Sequence, residues 1–164
     1  MEAIITAATV MAMYLNATTN PGSQNFYNAD VEGGQVKTMY VFDNGECGLS
    51  KKAEYRYTYD RMGRVSTKTV MQRDAATGRM KPKARLTFRY TAGGYDVEHS
   101  AWNSLTQCFE APDSRTDYRM EGSYAMSVTN YRLNGGNGEM LMTDNFIVMQ
   151  PYNDMLLAEE NKVN

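Results

Sequence analysis

Tyrosine and arginine side chains alternate along one basic stretch of the chain. Residues 51–90 hold twelve basic and three acidic side chains, a net charge of +9. Cations interleaved with aromatic rings can hold an anionic polymer through charge and stacking. The sequence therefore predicts a surface for an acidic glycan or other polyanion, formed by Tyr55, Arg56, Tyr57, Tyr59, Arg64, Arg89 and Tyr90.

The same residues have a purely structural interpretation. Residues 1–50 carry a net charge of −4 and residues 91–164 a net charge of −7, so basic hairpins can pair with acidic ones. Lysine and arginine at sheet edges also discourage edge-to-edge association. Tyrosine is a common strand residue that buries its ring and keeps its hydroxyl in water. Packing and ion pairing are therefore the favoured interpretation of these residues, and ligand binding is the alternative.

His99 is the only histidine, and it suggests a hydrolase as a further alternative. Because no GxSxG nucleophile elbow accompanies it, a structural role is favoured and we expect no enzyme. Cys47 and Cys108 are expected to be free thiols. The sequence holds no zinc-ligand spacing, phosphate loop or paired-carboxylate motif, so we expect neither a metal nor a cofactor.

Two recurring marks indicate the elements that position these residues. A tyrosine is followed four residues later by glycine at Tyr59/Gly63, Tyr90/Gly94 and Tyr118/Gly122. An Asp or Asn is followed six residues later by an apolar residue at Asp43/Leu49, Asp74/Met80, Asn103/Phe109 and Asn134/Met140. Both marks recur every 28 to 31 residues and keep a constant phase, which is typical of a structural repeat.

Each repeat is predicted to be a β-hairpin. Apolar and polar side chains alternate on both sides of each Tyr/Gly mark, which is the period of a strand. Gly63, Gly94 and Gly122 supply the turns, and the Asp or Asn residues lie in the connections. We expect an all-β antiparallel meander of roughly seven to nine strands by this count. An open curved sheet is favoured over an up-and-down barrel, and Gly34 is expected to precede the hairpins.

The first residues predict export. Residues 3–15 form an uncharged, mostly apolar run of thirteen residues, the length of a signal-peptide core and too short to span a bilayer. We expect a signal peptide at 1–17, cleaved after Ala17, followed by a single β-repeat domain at 18–164. The alternative is a first buried strand or helix of that domain. Export predicts a periplasmic or extracellular protein without membrane anchor or nucleic-acid partner.

Residues 59–65, YDRMGRV, resemble the YDxxGR(V/L) signature of YD-type repeats. The strand and loop around Trp102-Asn103 and Phe109 more closely resemble an uncharacterised family of small exported proteins of gut anaerobes, a domain of unknown function. This resemblance spans residues 25–150 and implies export and a β fold. It implies no activity and no catalytic residues.

Length and composition limit the remaining choices. The chain has 164 residues, a net charge of −2 and 42% hydrophobic residues, which suits one globular domain. We therefore predict an exported, monomeric, non-enzymatic binding or structural module. Its partner would be a glycan or a protein of the cell envelope.

Overall fold

The computed structural model describes residues 5–20, 22, 24–45 and 48–149, which form one helix and ten strands. Helix α1 spans Ala7–Thr19. The strands are β1 (Asn25–Glu32), β2 (Gln35–Gly45), β3 (Gly48–Tyr59), β4 (Val65–Arg73), β5 (Met80–Thr91), β6 (Gly94–Asn103), β7 (Cys108–Phe109), β8 (Ser114–Glu121), β9 (Ala125–Leu133) and β10 (Met140–Met149). Cys47 lies outside the described residues, whereas Cys108 is a free, exposed thiol.

All ten strands belong to one antiparallel meander. Nine follow each other across the sheet in the order β1-β2-β3-β4-β5-β6-β8-β9-β10, and the two-residue β7 pairs with β6. Within the described part of the chain the sheet stays open between its edge strands β1 and β10. The predicted all-β meander and its open form are confirmed, and the barrel alternative is wrong.

The prediction was wrong at the start of the sheet. Residues 25–45 form an additional hairpin, β1–β2, whose turn contains Gly33 and Gly34 at φ angles of 56° and 75°. Gly34 is therefore a turn residue of the sheet and does not precede the hairpins. The Tyr/Gly mark misses this hairpin because position 30, four residues before Gly34, is an aspartate. The β1–β2 hairpin and the short strand β7 together raise the number of strands to ten.

Antiparallel order places the two kinds of connection at opposite ends of the sheet. The tight hairpin turns lie at one end, called here the turn end: Gly63 and Gly122 are turn residues, as predicted, whereas Gly94 is the first residue of β6 and follows the turn at Ala92-Gly93. The connections that begin at Asp74, Asn103 and Asn134 lie at the other, called the loop end, together with the last residue of β2, Gly45, and the first residue of β3, Gly48.

Three loop-end connections share one local conformation. Asp74 Oδ1 accepts from Thr77 N at 2.8 Å, and Asn134 Oδ1 accepts from Gly136 N at 3.0 Å. The fifth residue of each connection has a left-handed backbone: Gly78, Gln107 and Gly138 have φ angles of 67°, 54° and 72°. A short polar side chain that bonds to the backbone ahead of it therefore fixes the loop.

Asp60 organises the β3–β4 turn at the turn end. Its Oδ1 accepts from Met62 N and Arg64 N, both at 2.9 Å, and its Oδ2 accepts from Arg64 Nε at 2.7 Å. These bonds hold the pKa of Asp60 below its ordinary value, chiefly through the Arg64 backbone amide. Gly63 supplies the left-handed residue, with a φ angle of 73°. Asp60, Gly63 and Arg64, three residues of the YD-like motif, thus each have a specific role in this turn.

Helix α1 covers part of one face, called here the inner face. Thr6 caps the N-terminus of the helix, and its side chain accepts a hydrogen bond from Thr9 N. Just before the cap, Ile5 O accepts a hydrogen bond from Val65 N at 2.8 Å. Val10 is fully buried in a cluster completed by Val36, Met39, Tyr57 and Val65. The apolar leading segment therefore folds as a helix on the sheet in the full-length chain. Cleavage after Ala17 stays a prediction.

Gly94 permits the close approach of β6 and β8. A Cβ atom built on Gly94 would lie 1.9 Å from the Tyr118 carbonyl oxygen, whereas one on neighbouring Gly93 would have no heavy atom within 4 Å. We predict that Gly94→Ala lowers the free energy of unfolding by about 1–3 kcal/mol, the usual cost of overpacking. Gly93→Ala should change it by less than about 0.5 kcal/mol. Thermal or urea unfolding checks this, and equal effects of the two substitutions would contradict the packing.

Candidate functional site

The four tyrosines of the predicted binding surface lie on the inner face, largely within the core. Tyr57 belongs to the buried cluster under α1, and Tyr55, opposite Val70 of β4, packs against that cluster. The Tyr59 hydroxyl donates to Val36 O at 2.7 Å. The Tyr90 hydroxyl lies within hydrogen-bond distance of the Ile5 and Val65 carbonyl oxygens, at 3.0 and 2.9 Å. These rings connect the helix to the sheet.

The three arginines of the same predicted surface are neutralised, and two point away from the tyrosines. Arg56 and Arg89 lie on the outer face, where each Nη2 is 2.9 Å from a carboxylate, Glu54 for the first and Glu98 for the second. Glu54 is almost fully buried and also pairs with Lys51 at 2.9 Å. The structure therefore separates Arg56 and Arg89 from the four tyrosines and leaves Arg64 as the one predicted arginine that contacts one of them.

Arg64 lies at the turn end. Its Nε is 2.7 Å from Asp60 Oδ2, and its guanidinium carbon lies 4.5 Å from the centroid of the Tyr90 ring. It therefore holds the β3–β4 turn against the Tyr90 ring.

Lys68 is a cation that the sequence analysis did not single out. It lies opposite Tyr57 on the inner face, with its Nζ 4.1 Å from the centroid of the Tyr55 ring and 5.9 Å from that of Tyr57. Burial lowers the pKa of this ammonium, because removal from water disfavours the charged form. The two rings offset part of that cost through cation–π attraction.

Three adjoining cavities lie along the loop end, and together they are called here the loop-end groove. Their volumes are about 470, 300 and 360 Å³. The first and second share Asp43 and Lys52, and the second and third share Gln72 and Arg73. The groove runs from Phe26 at the start of β1 to Trp102 near the end of β6.

The loop-end groove is basic. Its described lining includes five cations and two carboxylates, a difference of three positive charges: Lys51, Lys52, Arg73, Lys81 and Lys83 against Asp43 and Asp74. The Lys81 ammonium lies 2.7 Å from Asp74 Oδ2. This contact is the chief reason that the pKa of Asp74 falls well below its usual range.

The sequence analysis did not predict the groove, but it did identify the basic stretch from which the groove's cations come. All five cations fall within the basic stretch 51–90. The sequence analysis chose arginines because they alternate with tyrosines. The five cations of the groove instead lie near the Asp43 and Asp74 loop marks. The useful signal was therefore the coincidence of basic residues with the linking loops.

His99 lines a separate cavity of about 480 Å³ with Asp113, Ser114, Arg132 and Leu133. Its Nδ1 lies 2.7 Å from Asp113 Oδ1. Ser114 Oγ donates to the same carboxylate oxygen at 3.0 Å rather than to the imidazole. A serine nucleophile needs its hydroxyl hydrogen-bonded to the base that takes its proton. The residues form a hydrogen-bonded triplet in which Asp113 is central.

Among the residues that the structure describes, no three His, Cys, Asp or Glu side chains are grouped closely enough to hold a metal ion. No helix in that part of the chain is both long enough and apolar enough to cross a membrane.

Comparison with known proteins gives a family. Residues 1–133 match DUF3836, a family of unknown function. The chain belongs to this family. No curated protein matches it. The expectation of a domain-of-unknown-function family is confirmed, whereas the YD-type repeat and export stay predictions.

One solved structure has a similar fold, and a second has a weaker likeness. The chain is similar to a protein with unknown function from Bacteroides fragilis, at 19% identity and a TM-score of 0.64, over 81% of this chain and 96% of that one. A DUF3836 family protein from Parabacteroides distasonis is 16% identical, with a TM-score of 0.41 over 82% of this chain and 98% of that one. The first likeness supports the open meander.

The inner-face tyrosines predict a loss of stability at high pH. Burial raises the pKa of Tyr59 to about 12, and burial beside Tyr118 and Tyr90 raises that of Tyr95 to about 12. Because an unfolded tyrosine ionises near pH ~10, this contribution is intact below pH ~10 and is lost as pH rises to about 12. Tyrosinate absorbance and circular dichroism, followed together, should change in one transition over that range. Ionisation of all tyrosines near pH ~10 without unfolding would contradict this.

Tyr59→Phe provides the control. It removes the bond to Val36 O and should cost about 1 kcal/mol at neutral pH. Because the titrating hydroxyl is gone, the further loss between pH ~10 and ~12 should be smaller than in the parent protein.

Proposed function

We propose that this protein is a non-enzymatic binding module of the cell envelope or exterior, and that it holds its ligand in the loop-end groove. The observation that carries the proposal is the run of three adjoining cavities between rigidly held loops. A binding site that is ordered before the ligand arrives loses less conformational entropy on association.

The loops beside the groove are held by their own side chains. Asp74 bonds to both the backbone and the hydroxyl of Thr77 at 2.8 Å, and its backbone amide donates to Arg79 O at 2.9 Å. Asn103 Oδ1 accepts from Leu105 N at 2.9 Å. Loop residues placed on a rigid sheet commonly carry binding functions, and this arrangement supports the proposal.

The hydrolase alternative has weaker support. Its residues would be His99, Asp113 and Ser114, but the Ser114 hydroxyl donates to the carboxylate. That bond leaves the serine without the activated geometry that acyl transfer requires. The His99 cavity is therefore the second candidate, and the loop-end groove the first.

Export forms part of the proposal. The uncharged run at 3–15 and the small residue Ala17 support a signal peptide at 1–17 and a domain at 18–164. A monomeric domain on the outside of the cell would meet glycans and envelope proteins. The YD-like turn at 59–65 serves in this proposal as a structural element at the turn end, away from the ligand.

The binding proposal predicts a difference between two matched aspartates. Asp74 holds a loop beside the groove, and Asp60 holds a turn at the opposite end of the sheet. Each Asp→Ala substitution should lower the thermal midpoint, because each removes hydrogen bonds to the backbone of its own loop or turn. The immobilised full-length protein should capture a glycan or an envelope protein, and Asp74→Ala should change the amount captured, since it alters both the loop and the charge of the groove, while Asp60→Ala leaves it unchanged. Equal capture by both variants would place the ligand elsewhere.

Export predicts a new N-terminus. Protein recovered from the envelope or medium of the producing cells should begin at Thr18, which N-terminal sequencing determines. The loss of Glu2 would change the net charge from −2 to −1. Protein with an intact Met1, confined to the cytoplasm, would contradict the proposal.

A further inference from the structure

We infer that the loop-end groove binds an acidic polysaccharide, whose carboxylate or sulfate groups contact Lys52, Arg73 and Lys83 and whose end sugar contacts Trp102. This inference rests on the binding function proposed above and names the class of ligand for the same groove. Three observations support it: the length of the groove, its available cations and the position of its aromatic rings.

The groove is long. From Phe26 on β1 to Trp102 on β6 it crosses five strand-to-strand steps, or ~24 Å at ~4.8 Å per step. Its three cavities share lining residues, so a ligand in one continues directly into the next. An extended polymer fits this shape better than a compact small molecule does.

Three of its cations remain available for a ligand. Lys51 is paired with Glu54 at 2.9 Å, and Lys81 is paired with Asp74 at 2.7 Å. The other three are exposed, and none forms an ion pair with a residue that the structure describes: Lys52, Arg73 and Lys83. Arg73 is central, because it lines both the second and the third cavity. The three cations lie on successive strands, β3, β4 and β5, and this arrangement suits an anion that repeats its charge along a chain.

The aromatic side chains favour a glycan over a nucleic acid. Single-stranded nucleic acids are held by rings on which successive bases stack. The groove places its rings, Phe26 and Trp102, at its two ends, and the middle cavity is lined by polar side chains and Ala75. Trp102 packs edge-on against Phe109 with ring centroids 4.9 Å apart, which fixes its position at the end of the groove.

The intrinsic fluorescence of Trp102 can be used to measure ligand binding. Trp102 is the single tryptophan of the chain, so its fluorescence reports on the end of the groove. The full-length protein is titrated at low salt with polygalacturonate, heparin, neutral dextran and mixed-sequence single-stranded DNA. The two acidic polysaccharides should change the emission, dextran should not, and added salt should weaken the binding because it screens the exposed charges.

A matched pair of charge reversals locates the contact. Arg73→Glu should weaken binding of the acidic polysaccharides by about tenfold, because it replaces the central attraction with repulsion. Arg61→Glu makes the same change at an exposed position of the turn end and should alter affinity less than about twofold at moderate salt. Equal thermal midpoints of the two variants show that both remain folded.

The other outcomes overturn the inference in different ways. Equal losses in Arg73→Glu and Arg61→Glu would show that the attraction is general and not located in the groove. Tighter binding of DNA than of either acidic polysaccharide, abolished by Arg73→Glu, would make the ligand a nucleic acid. Capture of a neutral glycan or a protein alone would refute the acidic ligand and leave the binding module standing, whereas no capture of any ligand would refute both.

Discussion

An open sheet buries an apolar side chain fully only where another element covers it, and in this chain that element is α1. Val10 of the helix and Val36 and Val65 of the sheet are the largest side chains that are fully buried. Burying one valine from water is worth roughly 1.5–3 kcal/mol, a large share of the stability of a domain this size. The tyrosines around this cluster are consequently structural, since their rings pack on it and their hydroxyls satisfy carbonyl groups beside it.

The two ends of the sheet are stabilised by different chemistry. At the turn end, Gly94 provides space and Asp60 bonds to the turn backbone, so substitutions there act through strand pairing. At the loop end, Asp74 and Asn103 fold longer connections, and the third cavity of the groove is lined by Asp74 and Ser104 of these two connections. The turn end can therefore be short and closely packed, while the loop end has room for a ligand.

Sequence periodicity was enough to predict the repeat, whereas the loop-end groove depends on contacts between residues far apart in the chain. The period of Tyr/Gly and Asp-or-Asn/apolar marks correctly predicted the meander, and strand β10 begins at Met140, the apolar residue of the fourth Asp-or-Asn mark. The partnership of Glu54 and Arg56 is a same-face contact two residues apart, which alternation alone could have indicated. Arg89 meets Glu98 across β5 and β6, and that contact depends on a register no single strand reveals. The groove joins cations from β3, β4 and β5, so it exists only once the meander has formed.

The proposed export and the proposed binding make separate demands on the structure. Helix α1 starts at the turn end, where Thr6 bridges to Arg64, and cleavage after Ala17 would remove most of it together with Val10. The side chains of the buried cluster would then face solvent on the inner face, and the Tyr90 hydroxyl would keep only Val65 O of its two acceptors. The groove lies at the other end, and the first of its residues along the chain is Gln24, beyond the cleavage position. Removal of the leading segment therefore costs the sheet part of its core while leaving the cations of the groove and their loops in place.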